Sequence, residues 1–296
     1  MDISKIVIVP KVSVYDFDMN MFRVTHEELN AKYQRENVDY EKIVSSHNRH
    51  QQSLAELKKF FSESQFVSRD SLTREIAAKS DLVIALGGDD HFQYVSHFVD
   101  DNLIMGVNSD SVLSEGALNY FTAADFEKVA RRLKQDDFKV EHWTRLEARL
   151  SGSRVPLATA HYYLGESDRE KMSHYILEYK GKSEEQKSSA LLVVTGAGST
   201  GWYSSAYSYL HPDGNKFPKA QKTAAFFVTE VHRGGLTGHS MLDGVLEEGE
   251  ELVVYSLNKH AGRFSVDSCD KYDFRRGVKA VIRISDKPLN VIERMV

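Results

Sequence analysis

Apolar positions fall into two rhythms along this chain, and the change between them predicts two kinds of architecture. In the first part, short unbroken apolar runs alternate with stretches of helical period. Lys5 to Pro10 predicts a strand, and Ser45 to Phe61 predicts a helix with Leu54, Leu57, Phe60 and Phe61 at helical spacing. Asp81 to Leu86 is a continuous apolar run, the pattern of a strand buried on both faces of a parallel sheet. It stops at Gly87-Gly88-Asp89-Asp90. His91 to Val99 then places Phe92, Val95, Phe98 and Val99 on one helical face, and Asn102 to Val107 predicts a second buried strand. Strand, glycine turn, helix, strand is a βαβ unit, which puts the turn at the carboxyl edge of the sheet.

After a predicted helix from Ala124 to Lys134, the pattern becomes one of strands. They are expected over 143–150, 157–164, 173–179, 190–194, 224–228, 251–257, 263–266 and 279–284. Turn pairs punctuate them: Ser151-Gly152, Lys180-Gly181, Asp213-Gly214, Asp243-Gly244 and Glu248-Gly249. The polar stretch Ser183 to Ser189 reads as a solvated loop. The expected fold is an α/β domain with a Rossmann-like parallel sheet over 1–134 and an all-β sandwich domain over 135–296. The last residues are expected to return to the first domain.

Composition narrows the class. The chain has 296 residues with 41% hydrophobic and 27% charged, a globular composition. No apolar run approaches the ~20 residues that a bilayer-spanning helix needs, and the opening residues carry no leader pattern. A cytoplasmic protein is expected. A single cysteine, Cys269, can form no disulfide within the chain and reads as a small packed side chain. The formal charge of -5, with no basic tract, argues against a nucleic-acid partner but permits a nucleotide.

Three constellations carry candidate chemistry. At Gly87-Gly88-Asp89, paired glycines after a buried strand let backbone N–H groups approach a phosphate. Asp89 could hold magnesium bridging phosphates or accept a proton from an attacking hydroxyl; the plain alternative is a strand-to-helix turn with an N-cap aspartate. Thr195-Gly196-Ala197-Gly198-Ser199-Thr200-Gly201-Trp202 interleaves three glycines with three hydroxyl residues, the composition of an anion cradle. It lacks the lysine of a Walker loop, and the alternative is an ordinary glycine turn. Gly106-Val107-Asn108-Ser109-Asp110 brings short polar side chains to the same sheet edge as Asp89, or simply ends a strand. Lesser candidates are His47 with His50, one helical turn apart but without a third metal ligand and so read as a solvated helix start, and His232 with His239 around a glycine loop that reads equally as a surface turn.

In this order, the motifs resemble the NAD kinase family, most of all its branch containing the animal mitochondrial enzyme. The similarity runs through Gly87-Gly88-Asp89, Val107 to Leu118, Gly165-Glu166-Ser167, Lys187-Ser188-Ser189 and Thr195 to Trp202. The resemblance implies phosphoryl transfer from ATP or polyphosphate to the 2'-hydroxyl of the adenosine ribose of NAD, with magnesium accompanying ATP. It makes Asp89 the general base and assigns Gly87, Gly88, Asp90, Asn108, Thr195, Gly196, Gly198 and Ser199 to the nucleotide and its phosphates. Ala160, His161, Thr200, Gly201, Trp202 and Ser205 fall to NAD, with Thr200, Gly201 and Trp202 near its nicotinamide half. A homo-oligomer, dimer or tetramer, is implied as well.

The chain departs from the family in two places. Where the family turn continues Gly-Thr, this chain has Asp90 and His91. Where the family has Asn-Glu contacting NAD, it has Ala160 and His161. Asp90 is expected to repel phosphate by about 1 to 4 kcal/mol per charge pair unless a metal or His91 offsets it, and to tolerate a positive φ poorly. Ala160 cannot hydrogen-bond adenine or ribose. Two further functions therefore stand beside an NAD kinase: a catalytically silent nucleotide- or dinucleotide-binding protein of the same fold, and a kinase of another hydroxyl substrate.

Overall fold

The computed structural model describes residues 1–168, 170–209, 211 and 216–294, and the Asp213-Gly214 turn lies outside them. The chain divides into two compact units, residues 1–141 with 290–296 and residues 142–289.

The first unit is built on a sheet with helices. Its strands β1 (Ile6–Pro10), β2 (Gln65–Phe66), β3 (Leu82–Gly87) and β4 (Leu103–Asn108) lie in the order β2-β1-β3-β4, all neighbours parallel. The short β5 (Phe121–Thr122) pairs with β4, the C-terminal strand β19 (Leu289–Ile292) adds to β4 in parallel through Asn290 and Val291, and β6 (Val140–Trp143) follows β19. Every residue of β3 is buried, which explains its unbroken apolar run. Helix α1 (Val14–Phe22), α2 (His26–Arg35), α3 (Tyr40–Phe60), α4 (Arg74–Ala78), α5 (Asp89–Ser96) and α6 (Phe126–Lys134) complete the unit. The apolar face of α6, Phe126, Val129, Ala130 and Leu133, joins Leu57 of α3 and Leu82, Ile84 and Leu86 of β3 in one core.

Three of these helices, α1, α2 and the five-residue α4, are absent from the sequence expectations. The segment 13–39 carries too few buried apolar positions to announce a period, because α1 and α2 bury only Tyr15, Leu29 and Tyr33. Their ends are legible all the same. Ser13 caps α1 by accepting from the Asp16 N–H, and Thr25 with Glu28 forms a reciprocal capping box on α2. Helix α3 starts at Tyr40 rather than near Ser45, so His50 is a mid-helix residue and buried, not part of a solvated start.

The second unit is a pair of antiparallel six-stranded sheets. One has the order β11-β10-β15-β18-β7-β8, the other β14-β13-β12-β9-β16-β17. Its strands are β7 (Leu146–Leu150), β8 (Ser153–Arg154), β9 (His161–Glu166), β10 (Ser173–Tyr179), β11 (Lys182–Ser188), β12 (Ala190–Val194), β13 (Thr223–Thr229), β14 (Asp243–Glu247), β15 (Leu252–Ser256), β16 (Gly262–Val266), β17 (Asp270–Asp273) and β18 (Lys279–Ile284). Alternate residues of both sheets, among them Ala148, Leu177, Leu164, Val193, Phe226 and Phe264, meet in a single buried core. On the other face of the second sheet, helix α7 (Trp202–Ser208) lays Tyr203 against Leu192, Val194 and Phe227.

Four expectations are corrected. The stretch Ser183 to Ser189 is no loop: β11 pairs with β10 from Tyr179↔Lys182 to Ser173↔Ser188. Lys180 and Gly181, at φ 47° and 74°, make the two-residue turn. The strand looks polar because it is an edge strand; only Gln186 and Ser188 are fully buried on it. The run 143–150 breaks at Thr144-Arg145 into two strands that belong to different sheets. Residues 157–160 precede β9 rather than forming it, and Asp243-Gly244 opens β14 instead of turning the chain.

Candidate functional site

Each unit carries candidate chemistry. In the first, the carboxyl ends of β1, β3 and β4 lie side by side: Lys11 N–H donates to Leu86 O at 2.8 Å and Ser109 N–H to Gly87 O at 3.1 Å. Helix α5 begins at Asp89 with Gly88 as its N-cap. Gly87 is required for packing, since a Cβ there would sit 2.8 Å from the His91 side chain.

Asp89 is held by the loop that follows β4. One carboxylate oxygen accepts from Ala117 N–H at 2.9 Å; the other accepts from Leu118 N–H at 2.9 Å and Asn119 Nδ2 at 2.8 Å. A carboxylate offers about four lone-pair sites, so one remains for a further donor. Asn108, buried, shapes that loop: its Nδ2 donates to Ser114 O at 2.9 Å and its Oδ1 accepts from Asp110 N–H at 3.1 Å. Gly116 has φ +64° and packs against the Asn108 side chain, so this glycine is needed twice over. Asn119 and the loop amides carry no signal in the sequence, because nothing in their spacing ties them to a residue about thirty positions earlier.

The two departures at this turn behave differently from expectation. Asp90 lies in the first turn of α5 and does not have a positive φ, so that objection is removed. It is exposed, where water screens its repulsion toward the low end, about 1 kcal/mol per pair. His91 does not offset it. It is 3% exposed, its Nε2 faces Val9 O at 2.8 Å, and burial pushes its pKa down to about 4, leaving it neutral.

A partly buried ion pair, its carboxylate enclosed and its guanidinium 32% exposed, lies beside the turn. Asp110 accepts from Arg49 Nε at 2.6 Å, Arg49 Nη2 at 3.1 Å, Ser46 Oγ at 2.6 Å and Val112 N–H at 3.2 Å. Burial opposes the Asp110 charge, but the guanidinium and these donors outweigh it and bring the pKa down to about 2. His50 is also neutral, lowered to about 4 by burial and then by Lys11. His47 instead pairs with Ser13 and Asp16, so the two histidines share no ligand.

In the second unit the Thr195–Trp202 loop is knotted on itself rather than open. Thr195 Oγ1 donates to Thr159 O at 2.6 Å and accepts from Gly198 N–H at 3.3 Å, and Ser199 Oγ donates to Gly196 O at 2.8 Å. The N–H groups of Thr195, Ser199, Thr200 and Gly201 all reach carbonyls of Ala160 or of the loop. The expected cradle therefore has most donors spent internally. Its glycines serve backbone approach: a Cβ at Gly198 would lie 2.0 Å from Ala160 O, and one at Gly196 2.3 Å from Pro218 O.

That packing fixes Ala160 and His161. Asp267, 2% exposed, accepts from the N–H groups of Thr159, Ala160 and His161 at 2.7, 2.9 and 2.7 Å. No pattern in the sequence singles Asp267 out; a strand-end aspartate reads as a turn former. Ala160 is buried, whereas His161 lines a cavity of about 810 Å³, within the range of small-molecule sites. Tyr163 and Trp202, stacked at 5.8 Å, share the lining with Ser205, and its charged groups are three cations, Arg233, Arg263 and Lys271, and two carboxylates, Glu166 and Glu230. Gly165 leaves room for the Tyr163 hydroxyl, which donates to Glu166 O at 3.0 Å. Thr200 and Gly201 lead into α7, which presents Trp202, 43% exposed, to this cavity. The loop holding His232 and His239 is a surface turn tied down by Glu184, which accepts from the Ser240 and Met241 N–H groups.

No family model matches the chain. It is 26% identical over 251 residues to the rat (Rattus norvegicus) protein NAD kinase 2, mitochondrial, an overlap that covers 67% of this chain and 59% of that one. It is 23% identical over 232 residues to a probable NADH kinase of rice (Oryza sativa subsp. japonica), covering 71% and 69%. The chain thus spans about three fifths of the mitochondrial relatives it matches. An NAD kinase from Archaeoglobus fulgidus solved with ATP superposes with TM-score 0.65 at 16% identity, over 98% of this chain and 93% of that one. Yeast NADH kinase complexed with NADH superposes with TM-score 0.63 at 16% identity, over 78% and 66%.

Proposed function

We propose that this chain, similar in sequence to NAD kinases and built on their fold, transfers a phosphoryl group from ATP to the 2'-hydroxyl of the adenosine ribose of NAD, giving NADP. The observation that carries the reading is the Asp89 carboxylate, oriented by three donors at a glycine turn with one lone-pair site left. That site accepts the proton of the attacking hydroxyl, and Gly88, partly exposed at the N-cap of α5, leaves its backbone accessible to phosphate oxygens. In the second unit, the Tyr163–Trp202 stack offers a face for a planar base, and Arg263 and Lys271 offer charge for the dinucleotide phosphates.

Magnesium belongs to the proposal as a companion of ATP. The described residues hold no cluster of three or more histidine, cysteine or acidic side chains, so the ion would be held mainly by phosphate oxygens, with the exposed Asp90 carboxylate as the protein group to offer. Bound so, it neutralises phosphate charge. No described helix is long and apolar enough to cross a membrane; a cytoplasmic homo-oligomer completes the proposal, and a monomer mass by light scattering would remove the oligomer.

The test is direct. Purified protein with ATP, magnesium and NAD is expected to form NADP, and Asp89→Asn, with the same donors around it, to lose about a hundred- to ten-thousand-fold in kcat. No NADP from the wild type would end the reading. One observation favours a second: the cavity that His161 lines, where the family resemblance places a glutamate, holds three cations against two carboxylates. A kinase of another, more anionic hydroxyl substrate would show itself as ATP turnover on phosphorylated sugars or nucleotides in place of NAD.

A further inference from the structure

Lys11 stands at the end of β1, across from Leu86 and next to the Gly87–Gly88 turn. It is only partly exposed, and its ammonium makes no hydrogen bond or ion pair among the described residues. Burial works against its charge and lowers its pKa; Asp110 favours the charge and Arg49 opposes it. A half-buried cation ordinarily takes the nearest carboxylate. Here it does not, because the two oxygens of Asp110 already receive four donors, two of them from Arg49, and a carboxylate has about four sites to give. His50 and His91, packed around the same strand ends, add no negative charge. An unspent cation is therefore kept beside a glycine turn at the carboxyl edge of a parallel sheet, a place where anions bind.

We propose that Lys11 binds the polyphosphate of the phosphoryl donor at the Gly87–Gly88 turn, and that Arg49 acts as a positioning residue, occupying Asp110 so that Lys11 stays available. The inference rests on the reading of this turn as the phosphoryl-donor side of a kinase. The ligand class is a polyphosphate chain, whether of ATP or inorganic.

The experiment is calorimetric titration of the full chain with magnesium ATP and, separately, with inorganic tripolyphosphate, with NADP formation followed in parallel. Lys11→Met is expected to weaken binding by about tenfold or more, the loss of one charge-assisted contact, and Lys11→Arg to recover most of it. A loss confined to ATP identifies the nucleotide as the ligand; one confined to tripolyphosphate identifies the inorganic chain. Because methionine removes a half-buried charge, Lys11→Met should melt no lower than wild type, which separates the site from a structural role. Arg49→Met should weaken binding by freeing Asp110 to take Lys11, and Asp110→Asn in that background should restore it. Wild-type binding of both ligands by Lys11→Met, or no binding by the wild type, overturns the proposal; unchanged binding by Arg49→Met overturns the part given to Arg49. If tripolyphosphate binds through Lys11 yet no NADP forms, NAD fails as the acceptor while the polyphosphate site stands.

Discussion

Single residues here are constrained most tightly where backbone meets backbone. Gly198 has a φ any residue can adopt, yet its missing Cβ leaves space for the carbonyl of Ala160, 2.0 Å from where the Cβ would be. Neither side can yield, since Ala160 is tied to Thr195 and Asp267. Gly198→Ala is expected to destabilise by about 1 to 3 kcal/mol, the cost of an overpacked core, and chemical denaturation of the variant measures it. Asp267 is the reciprocal case. Asp267→Ala strands three N–H groups that need acceptors, at about 1 to 3 kcal/mol each if none is hydrated. The variant should melt lower and, because His161 loses its anchor, raise the KM for the dinucleotide of the proposed reaction more than it lowers kcat.

Among the elements, the β10–β11 hairpin shows why local polarity misleads. Five of the seven residues from Lys182 to Ser188 face solvent or the rim, so the stretch reads as a loop. What makes it a strand is a turn with two consecutive positive φ values and a neighbour, β10, whose N–H and C=O groups need partners. Gly181→Val should therefore cost about 1 kcal/mol or more, read as a lower melting temperature, because a β-branched residue is strained at φ 74°. Lys180→Asn, at φ 47°, should be neutral or stabilising for the same reason. By contrast β3 and β4, buried on both faces, are legible at once, since nothing but an apolar run can occupy the middle of a parallel sheet.

For the molecule as a whole, acid is the expected weakness of the first unit. His50 and His91 are neutral in the fold, with pKa values lowered to about 4 from 6.5, chiefly by burial. In the unfolded chain they take up protons below about 6.5. Their contribution is thus fully present above pH 6.5 and is lost as pH falls from there toward 4, on the order of 3 kcal/mol for each histidine. Asp110, lowered to about 2, adds a second loss only below its unfolded pKa near 4. Thermal melts at pH 7, 6 and 5 should fall progressively, and the slope should halve in His91→Phe if the variant folds; a flat profile would refute the assignment.

The chain's own pattern announces the α/β and sandwich architectures, the Gly87-Gly88-Asp89 turn and the Thr195–Trp202 loop, because buried strands and glycine turns impose residue types over short, contiguous stretches. It does not announce Asp267, Asn119, the Arg49–Asp110 pair or the idle ammonium of Lys11. The first three depend on partners between about thirty and a hundred positions away, and Lys11 on the engagement of Asp110 about a hundred positions on, all brought near by tertiary packing. The loop at 195–201 shows the difference most plainly: its composition is that of an open cradle, but whether its N–H groups face a ligand or a neighbouring carbonyl depends on where Ala160 and Pro218 come to rest. Composition sets which donors exist, and packing sets which of them remain unspent.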